Sequence, residues 1–494
     1  MLYDTYEPVI GLEVHVQLQT NAKIFSPEAA AFGTAPNTQV DPVSLGHPGT
    51  LPVLNRNVVE YAVRLGVALD CHIAERSIFA RKHYFYPDLP KGYQISQYDT
   101  PIAYDGTLEL PATDEGDDQP LRVGITRVHM EEDAGKSIHG RDGTLLDHNR
   151  CGVPLLEVVS EPDLRAPREA YRFLQTLRQR VRYLEISDGN MEEGSLRCDA
   201  NVSVRPRGRS RMGVRTELKN LNSMRHVEQA LDFEIMRQMR ALERGESIET
   251  ETLLWDADAG VTRSMRSKEE AHDYRYMPDP DLAPVIIDDR MKTRITEGLP
   301  EMPTARRNRF VEEIGLPAYD AEVLTRERAV ADYFEDALQQ VFKRTKGGDT
   351  KAQAKEVSNI IMSHVLRVLN EQDLAIEDLP ISPERLAQLV YLRLQDKVSS
   401  NGVHDVFDAL LDRPGDSAGK VADDLDVIQV SDASAIQPVV DAVVREHSGK
   451  VKAYQNGKEG LLGFFIGQVM RRFDGSPDPK TVRDLLKQAL STSS

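Results

Sequence analysis

The stretch VIGLEVHVQL, Val9 to Leu18, sets a carboxylate and an imidazole two residues apart in an alternating segment. Leu12, Val14, Val16 and Leu18 fall on one side of an extended strand, and Glu13, His15 and Gln17 on the other. A second alternating segment, SLRCDANVSV, puts Leu196, Cys198, Ala200 and Val202 inward and Arg197, Asp199, Asn201 and Ser203 outward. RVHMEEDAG supplies Glu131, Glu132 and Asp133 at the end of a third, and Glu157 sits inside the apolar run VPLLEVV, where an unpaired charge is costly. Several strands of one sheet, each bringing Glu, Asp or His, can converge on one ion. An oxygen-rich donor set with one imidazole suits Mg²⁺ or Mn²⁺ better than Zn²⁺. The plainer alternative for Glu13 and His15 is a solvated strand face.

A second group of residues is ARKHYFYPDLPKGYQ, where Arg81, Lys82 and Lys91 alternate with Tyr84, Phe85, Tyr86 and Tyr93. Cations that hold phosphates beside rings that stack bases are what a single-stranded nucleic-acid end requires. A proline-stiffened loop with inward-packed aromatics accounts for the same residues. Other patterns fail. DAGKS lacks the upstream glycine of a phosphate-binding loop, because that position is Met130. No dinucleotide fingerprint, GxSxG or cysteine-nucleophile signature occurs, which argues against an autonomous amide hydrolase.

The elements that must carry these side chains are legible in outline. Up to about Pro280 alternating strands (GLEVHVQL, GITRVHM, SLRCDANVSVRP, VRTELKNL) are interleaved with the helical stretches REAYRFLQTLRQRVRYL and MRHVEQALDFEIMRQMRALE. In the latter, Val227, Ala230, Leu231 and Ile235 share a stripe. The pattern predicts an α+β fold: a large, mostly antiparallel sheet domain over residues 1–295, a helical domain over 296–415 and a small helical tail over 416–494. Linkers are expected at Pro300–Pro303 and Arg413–Ala418. The tail opens with Ser431 or Asp432 as helix cap and closes on a helix capped by Asp478, with a stripe of Val482, Leu485, Leu486 and Leu490.

At 494 residues, 40% hydrophobic and 28% charged, the chain reads as an ordinary globular protein of two to four domains. It has no apolar run of bilayer length and no basic-then-apolar leader, so no membrane association and a cytoplasmic location are expected. Cys71, Cys151 and Cys198 are too dispersed for a metal site and fit a reducing compartment. A net charge of −18 argues against a protein that coats nucleic acid. From Ser448 onward, however, eight Lys/Arg face four Asp/Glu. That basic end reads either as a local phosphate-binding appendage or as solvated helix faces.

Taken together, GLEVHVQL, KHYFYPDLPKGYQISQ, ITRVHMEEDAGKS, GVPLLEVVSEPD, MEEGSLRCDANVSV, ELKNLNS, DYRYMPDPDL, GLPAYDA and NGKEGLLGFFIGQVM closely resemble the B subunit of the tRNA-dependent amidotransferases, across essentially the whole chain. The resemblance implies a heterotrimer with a glutaminase A subunit and a small C subunit. It also implies ATP- and Mg²⁺-dependent phosphorylation of the side-chain carboxylate of Glu-tRNA(Gln) or Asp-tRNA(Asn). Ammonia channelled from glutamine then displaces the phosphate to give Gln-tRNA(Gln) or Asn-tRNA(Asn). Such chemistry needs positioning and charge neutralisation more than a protein nucleophile.

Matched motif to motif, Glu13, His15, Glu132 and Asp199 are the expected catalytic metal ligands, with Glu157 a further candidate. Lys82 and Lys91, chosen on charge, are expected to meet phosphates or the tRNA end. Many relatives carry CxC and CPVC zinc motifs; here those places read SPE (Ser26 to Glu28) and DPVS (Asp41 to Ser44). No zinc is therefore expected, and packing is expected to hold that loop. The basic tail resembles a tRNA-body-binding domain, removable by deletion from Val421. A tRNA-holding scaffold with structural carboxylates and a partner-independent phosphohydrolase are the competing readings.

Overall fold

The alternating segment near the start of the chain forms strand β1 (Tyr6–Gln17). It is followed by β2 (His72–Ile73), β3 (Ala80–His83), β4 (Tyr93–Ser96), β5 (Ala103–Leu110), β6 (Leu121–Glu132) and β7 (Pro154–Ser160). Then come β8 (Leu196–Pro206), β9 (Thr216–Leu221), β10 (Thr252–Asp256), β11 (Val261–Arg266) and β12 (Met277–Pro278). This computed structural model describes residues 2–112, 120–140, 142–266 and 274–492. Asp273, the first residue of DYRYMPDPDL, lies outside them.

Nine of the strands make one sheet in the order β11-β10-β9-β8-β1-β7-β6-β5-β2. Its pairings are antiparallel except that of β9 with β10, which is parallel. The α+β architecture with a mostly antiparallel sheet is thus what the chain adopts. β1 is central, flanked by strands made much later in the sequence. Its Ile10, Leu12, Val14 and Val16 are buried in one hydrophobic cluster with three helices. These are α1 (Arg56–Ala68), α2 (Pro167–Tyr183) and α3 (Met224–Glu243). Each begins where local chemistry satisfies its free amides: Asn55 accepts from Asn57 N, Glu169 from the Ala166 amide, and Ser223 from His226 N. Val227, Ala230, Leu231 and Ile235 of α3 are fully buried. Val227, Leu231 and Ile235 each contribute about 1.5–3 kcal/mol of burial at most.

The loop after β1 is held by more than packing. Lys23 is fully buried; its Nζ donates to the Gln39 carbonyl at 2.7 Å and lies 3.7 Å from Asp41 Oδ2. Asp41 also accepts from Ser44 Oγ at 2.6 Å, Ser44 N at 3.0 Å and Val43 N at 2.9 Å. An ammonium therefore stands among residues that occupy the places of the relatives' cysteines, which corrects the expectation of packing alone.

The chain divides into two compact units, Met1–Thr304 and Ala305–Ser494. The second is helical, with one core drawn from Phe310 to Ala422 and another from Ile436 to Leu490. The first of these cores runs through Ala418, Val421 and Ala422, and the Arg385 guanidinium ties down the Arg413–Ala418 turn by donating to the Arg413 and Asp416 carbonyls. Asp432 caps its helix through Ser434 N, and Asp478 caps the last through Thr481 N. Among the described residues no helix is long and apolar enough to cross a membrane.

Candidate active site

Strand register decides which side chains meet. On the face of the sheet away from the helices, residues directly opposite one another on neighbouring strands share a row. One row runs Arg197 (β8), His15 (β1), Glu157 (β7), His129 (β6); the next runs Asp199, Glu13, Val159, Arg127. Two residues along β6 from His129, Glu131 returns to the same face. His15 Nε2 lies 3.4 Å from Glu131 Oε1 and 3.3 Å from Glu157 Oε2. His129 Nε2 lies 3.7 Å from Glu131 Oε2 and 3.4 Å from Glu157 Oε2. Ligand atoms of His15, Glu131 and Glu157 all fall within 4.8 Å of one another.

The electrostatics of this group are those of acids held together with too little fixed positive charge. Burial disfavours the charged form of His129, but Glu157 and Glu131 outweigh it and raise its pKa to about 9. Burial opposes protonation of His15 too, and the same two carboxylates again prevail. Burial pushes the Glu13 carboxyl upward, reinforced by Glu157, Asp199 and Glu217 and opposed by a 3.0 Å hydrogen bond donated by Asn201 Nδ2. One row away, Lys219 Nζ bridges Asp199 at 2.5 Å and Glu217 at 3.0 Å. Register irregularities at Cys198/Ala200 and Val159/Ser160 flank this region, where a bulge re-aims neighbouring side chains.

His15 and Glu157 are thus brought together, and Glu13 and Asp199 stand in the adjoining row. Glu132 does not join them. Alternation sends it away from Glu131, and its carboxylate takes Lys91 Nζ and the Ile95 amide, the latter at 2.8 Å. Lys91 is therefore engaged by Glu132, while Lys82 Nζ sits 4.7 Å from the Tyr274 ring centre. Nearby, Tyr98 and Tyr276 stack at 4.1 Å with 11° between their planes. Burial, with Glu157 and Glu131 close by, raises the Tyr276 hydroxyl pKa. Sequence reasoning missed His129 and Lys219, and it named Glu131 without ranking it above Glu132. The signal was present: V-H-M-E carries its polar residues on the same two-residue period as E-V-H.

Two family models match this chain. The "GatB/GatE catalytic domain" covers residues 8–293, and the "GatB domain" covers 340–490. A protein of Salinibacter ruber is 71% identical over 99% of this chain and 98% of its own length. The chain belongs to the family of amidotransferase B subunits. That relative is named as the B subunit of an aspartyl/glutamyl-tRNA(Asn/Gln) amidotransferase, and so are proteins of Geotalea daltonii and Halorhodospira halophila. Each of the latter two is 51% identical, the first over 98% of this chain and 99% of its own length, the second over 99% and 100%. Every residue of the two polar rows lies inside the segment that matches the family's catalytic domain.

Proposed function

We propose that the polar face of the sheet is where this chain activates a carboxylate with ATP. As a member of its family the chain is part of a carbon–nitrogen ligase that amidates charged tRNA with glutamine as nitrogen donor. In our reading the side-chain carboxylate of Glu-tRNA(Gln) or Asp-tRNA(Asn) attacks the γ-phosphorus of ATP, and the bond to the β-phosphate oxygen breaks to release ADP. Ammonia then attacks the acyl carbon and expels phosphate. The observation that carries this reading is the meeting of His15, Glu131 and Glu157 within 4.8 Å.

Two carboxylates and one imidazole fit Mg²⁺, and the second imidazole, His129, makes Mn²⁺ acceptable. When bound, the ion neutralises phosphate charge and polarises the phosphoryl oxygens. The protein's own groups do the rest. Glu131, Glu157 and His15 would hold the ion, and His129, 3.7 Å from Glu131 and 3.4 Å from Glu157 in the same row, would orient both carboxylates. Asn201 fixes Glu13. Lys219, between Asp199 and Glu217, brings a permanent cation within reach of a phosphate. Tyr276, half-buried with Glu157 and Glu131 close by and stacked on Tyr98, limits water on that side of the carboxylates. Glutamine hydrolysis and the third chain belong to partner A and C subunits, and the basic end from Ser448 onward holds the body of the tRNA.

The test is ammonia-driven amidation by the assembled complex, with ADP and amidated tRNA both followed. Glu131→Gln and Glu157→Gln are expected to lose both signals while the complex still binds tRNA. Normal turnover in both variants overturns the proposal in favour of a tRNA-holding scaffold.

A further inference from the structure

The sheet ends at β2, four strands from β1, and a cavity of about 720 Å³ opens along that edge. Arg76, Arg127 and Lys292 bring three cations to it, against the carboxylates of Glu75 and Asp99. His72 and Tyr104 bring rings. Register sets Arg127, Tyr104 and His72 opposite one another on β6, β5 and β2, so the three share the polar face. The two rings lie 5.8 Å apart, tilted by 40°, and Tyr104 stays 40% exposed.

Arg127 is the residue left out of balance. β6 bulges beside it: Val159 of β7 faces Arg127 and Ser160 faces Ile125. Thr126 is the extra residue, and its hydroxyl donates to Glu161 at 2.7 Å. A bulge of this kind re-aims the side chains next to it. The Arg127 Nε is buried without a hydrogen-bond partner, and among the described residues none of Arg127, Arg76 and Lys292 joins an ion pair. A buried donor left unpaired is costly unless an acceptor arrives from outside. Unspent guanidinium donors suit a phosphate, and rings beside them suit a base, the pairing by which single-stranded RNA ends are held. The volume falls within the roughly 300–1,000 Å³ of small-ligand sites.

Position narrows the occupant further. The carboxylate that reacts is tethered, through its amino acid, to the last ribose of a tRNA. Arg127 stands two residues from His129, roughly 7 Å along the strand, and His72 two strands further, roughly 10 Å across. An aminoacyl ester and its ribose cover a gap of that order, which leaves the RNA phosphates over Arg127. We propose that this edge cavity takes the single-stranded 3′ end of the charged tRNA, with a phosphate on Arg127 and a base against Tyr104 and His72. The proposal rests on the carboxylate-activation reading above, which fixes where the amino acid must reach.

The assembled complex is titrated with uncharged tRNA, either intact or trimmed of its last three nucleotides. The wild type is expected to bind the intact form about tenfold more tightly. Arg127→Gln and Tyr104→Ala should each bring the two affinities together, with binding of the trimmed tRNA unchanged as the sign of an intact fold. In ammonia-driven amidation the same variants should raise the KM for charged tRNA more than they lower kcat. A wild type indifferent to trimming, or variants that discriminate as the wild type does, overturns the assignment. Neither titration involves ATP or metal, so the activation reading can fail, through normal turnover of Glu131→Gln and Glu157→Gln, with the 3′-end site intact. Crosslinking of the wild type by tRNA ending in a photoreactive adenosine is independent of any variant's folding: label on the peptide containing Tyr104 supports the assignment, and label elsewhere refutes it.

Discussion

Two groups of buried charge in the sheet unit are built on opposite terms. Around Lys23 the account is closed: one permanent cation, one carboxylate, and a hydroxyl, two amides and a carbonyl that use up the remaining valences. Around His15 it is open. Glu131 and Glu157 face two imidazoles whose charge depends on a proton, and Glu13 waits in the next row. Buried charges that saturate one another hold a loop in place. Buried acids left short of a fixed cation are poised to take one from outside.

That contrast can be broken by experiment. Lys23→Met should destabilise the protein by about 3–5 kcal/mol in denaturant melts, because it strands Asp41 in the interior. An equal loss of stability in Glu157→Gln would erase the distinction. Instead Glu157→Gln should melt below the wild type by a smaller margin, because His129 and His15 hold the Glu157 carboxyl well below its usual range but can shed their protons when it is gone, while ammonia-driven amidation falls about 10²–10³-fold. His129→Gln should weaken Mn²⁺ binding about 10–100-fold, read by the free-ion EPR signal; unchanged binding would make His129 a packing residue.

The finest test is acid. Burial raises the Asp41 carboxyl, but the hydrogen bonds from Ser44 and the nearby Lys23 outweigh it and hold its pKa below the ordinary 3.8. A carboxylate lowered in the fold contributes stability above its unfolded pKa and loses it as pH falls through the folded one. The stability gap between wild type and Asp41→Asn should therefore narrow as pH drops below 3.8.

Much of this was legible before any coordinates, and what was missed has a physical reason. Period-two alternation gave β1 and β8 with the correct faces, and the helical stretches read from the sequence match α2 and α3 nearly to the residue, α3 with its stripe buried. Alternation within a strand does not report register between strands. That His129 and Glu131 share a face was readable from the period of V-H-M-E, but that this face meets Glu157 and His15 was decided by the pairing of β6 with β7. The Lys23–Asp41 pair joins two points of irregular chain, where no period exists to read; only the missing cysteines were visible. Val421, named as the start of the tail deletion, is fully buried in the preceding core. A tail deletion is therefore better begun at Ser431, just before the cap of the first tail helix.

The central place of β1 in the sheet has a consequence for how the chain is made. Tyr6–Gln17 leaves the ribosome long before its neighbours, Pro154–Ser160 and Leu196–Pro206. At ~5–20 residues per second it stays without either partner strand for several seconds at least, and lacks the second for roughly ten to forty. Through that interval both edges of an apolar, β-prone strand are open to strangers. The nascent chain is thus most vulnerable around this strand, and any chaperone that attends its synthesis should be found on Tyr6–Gln17.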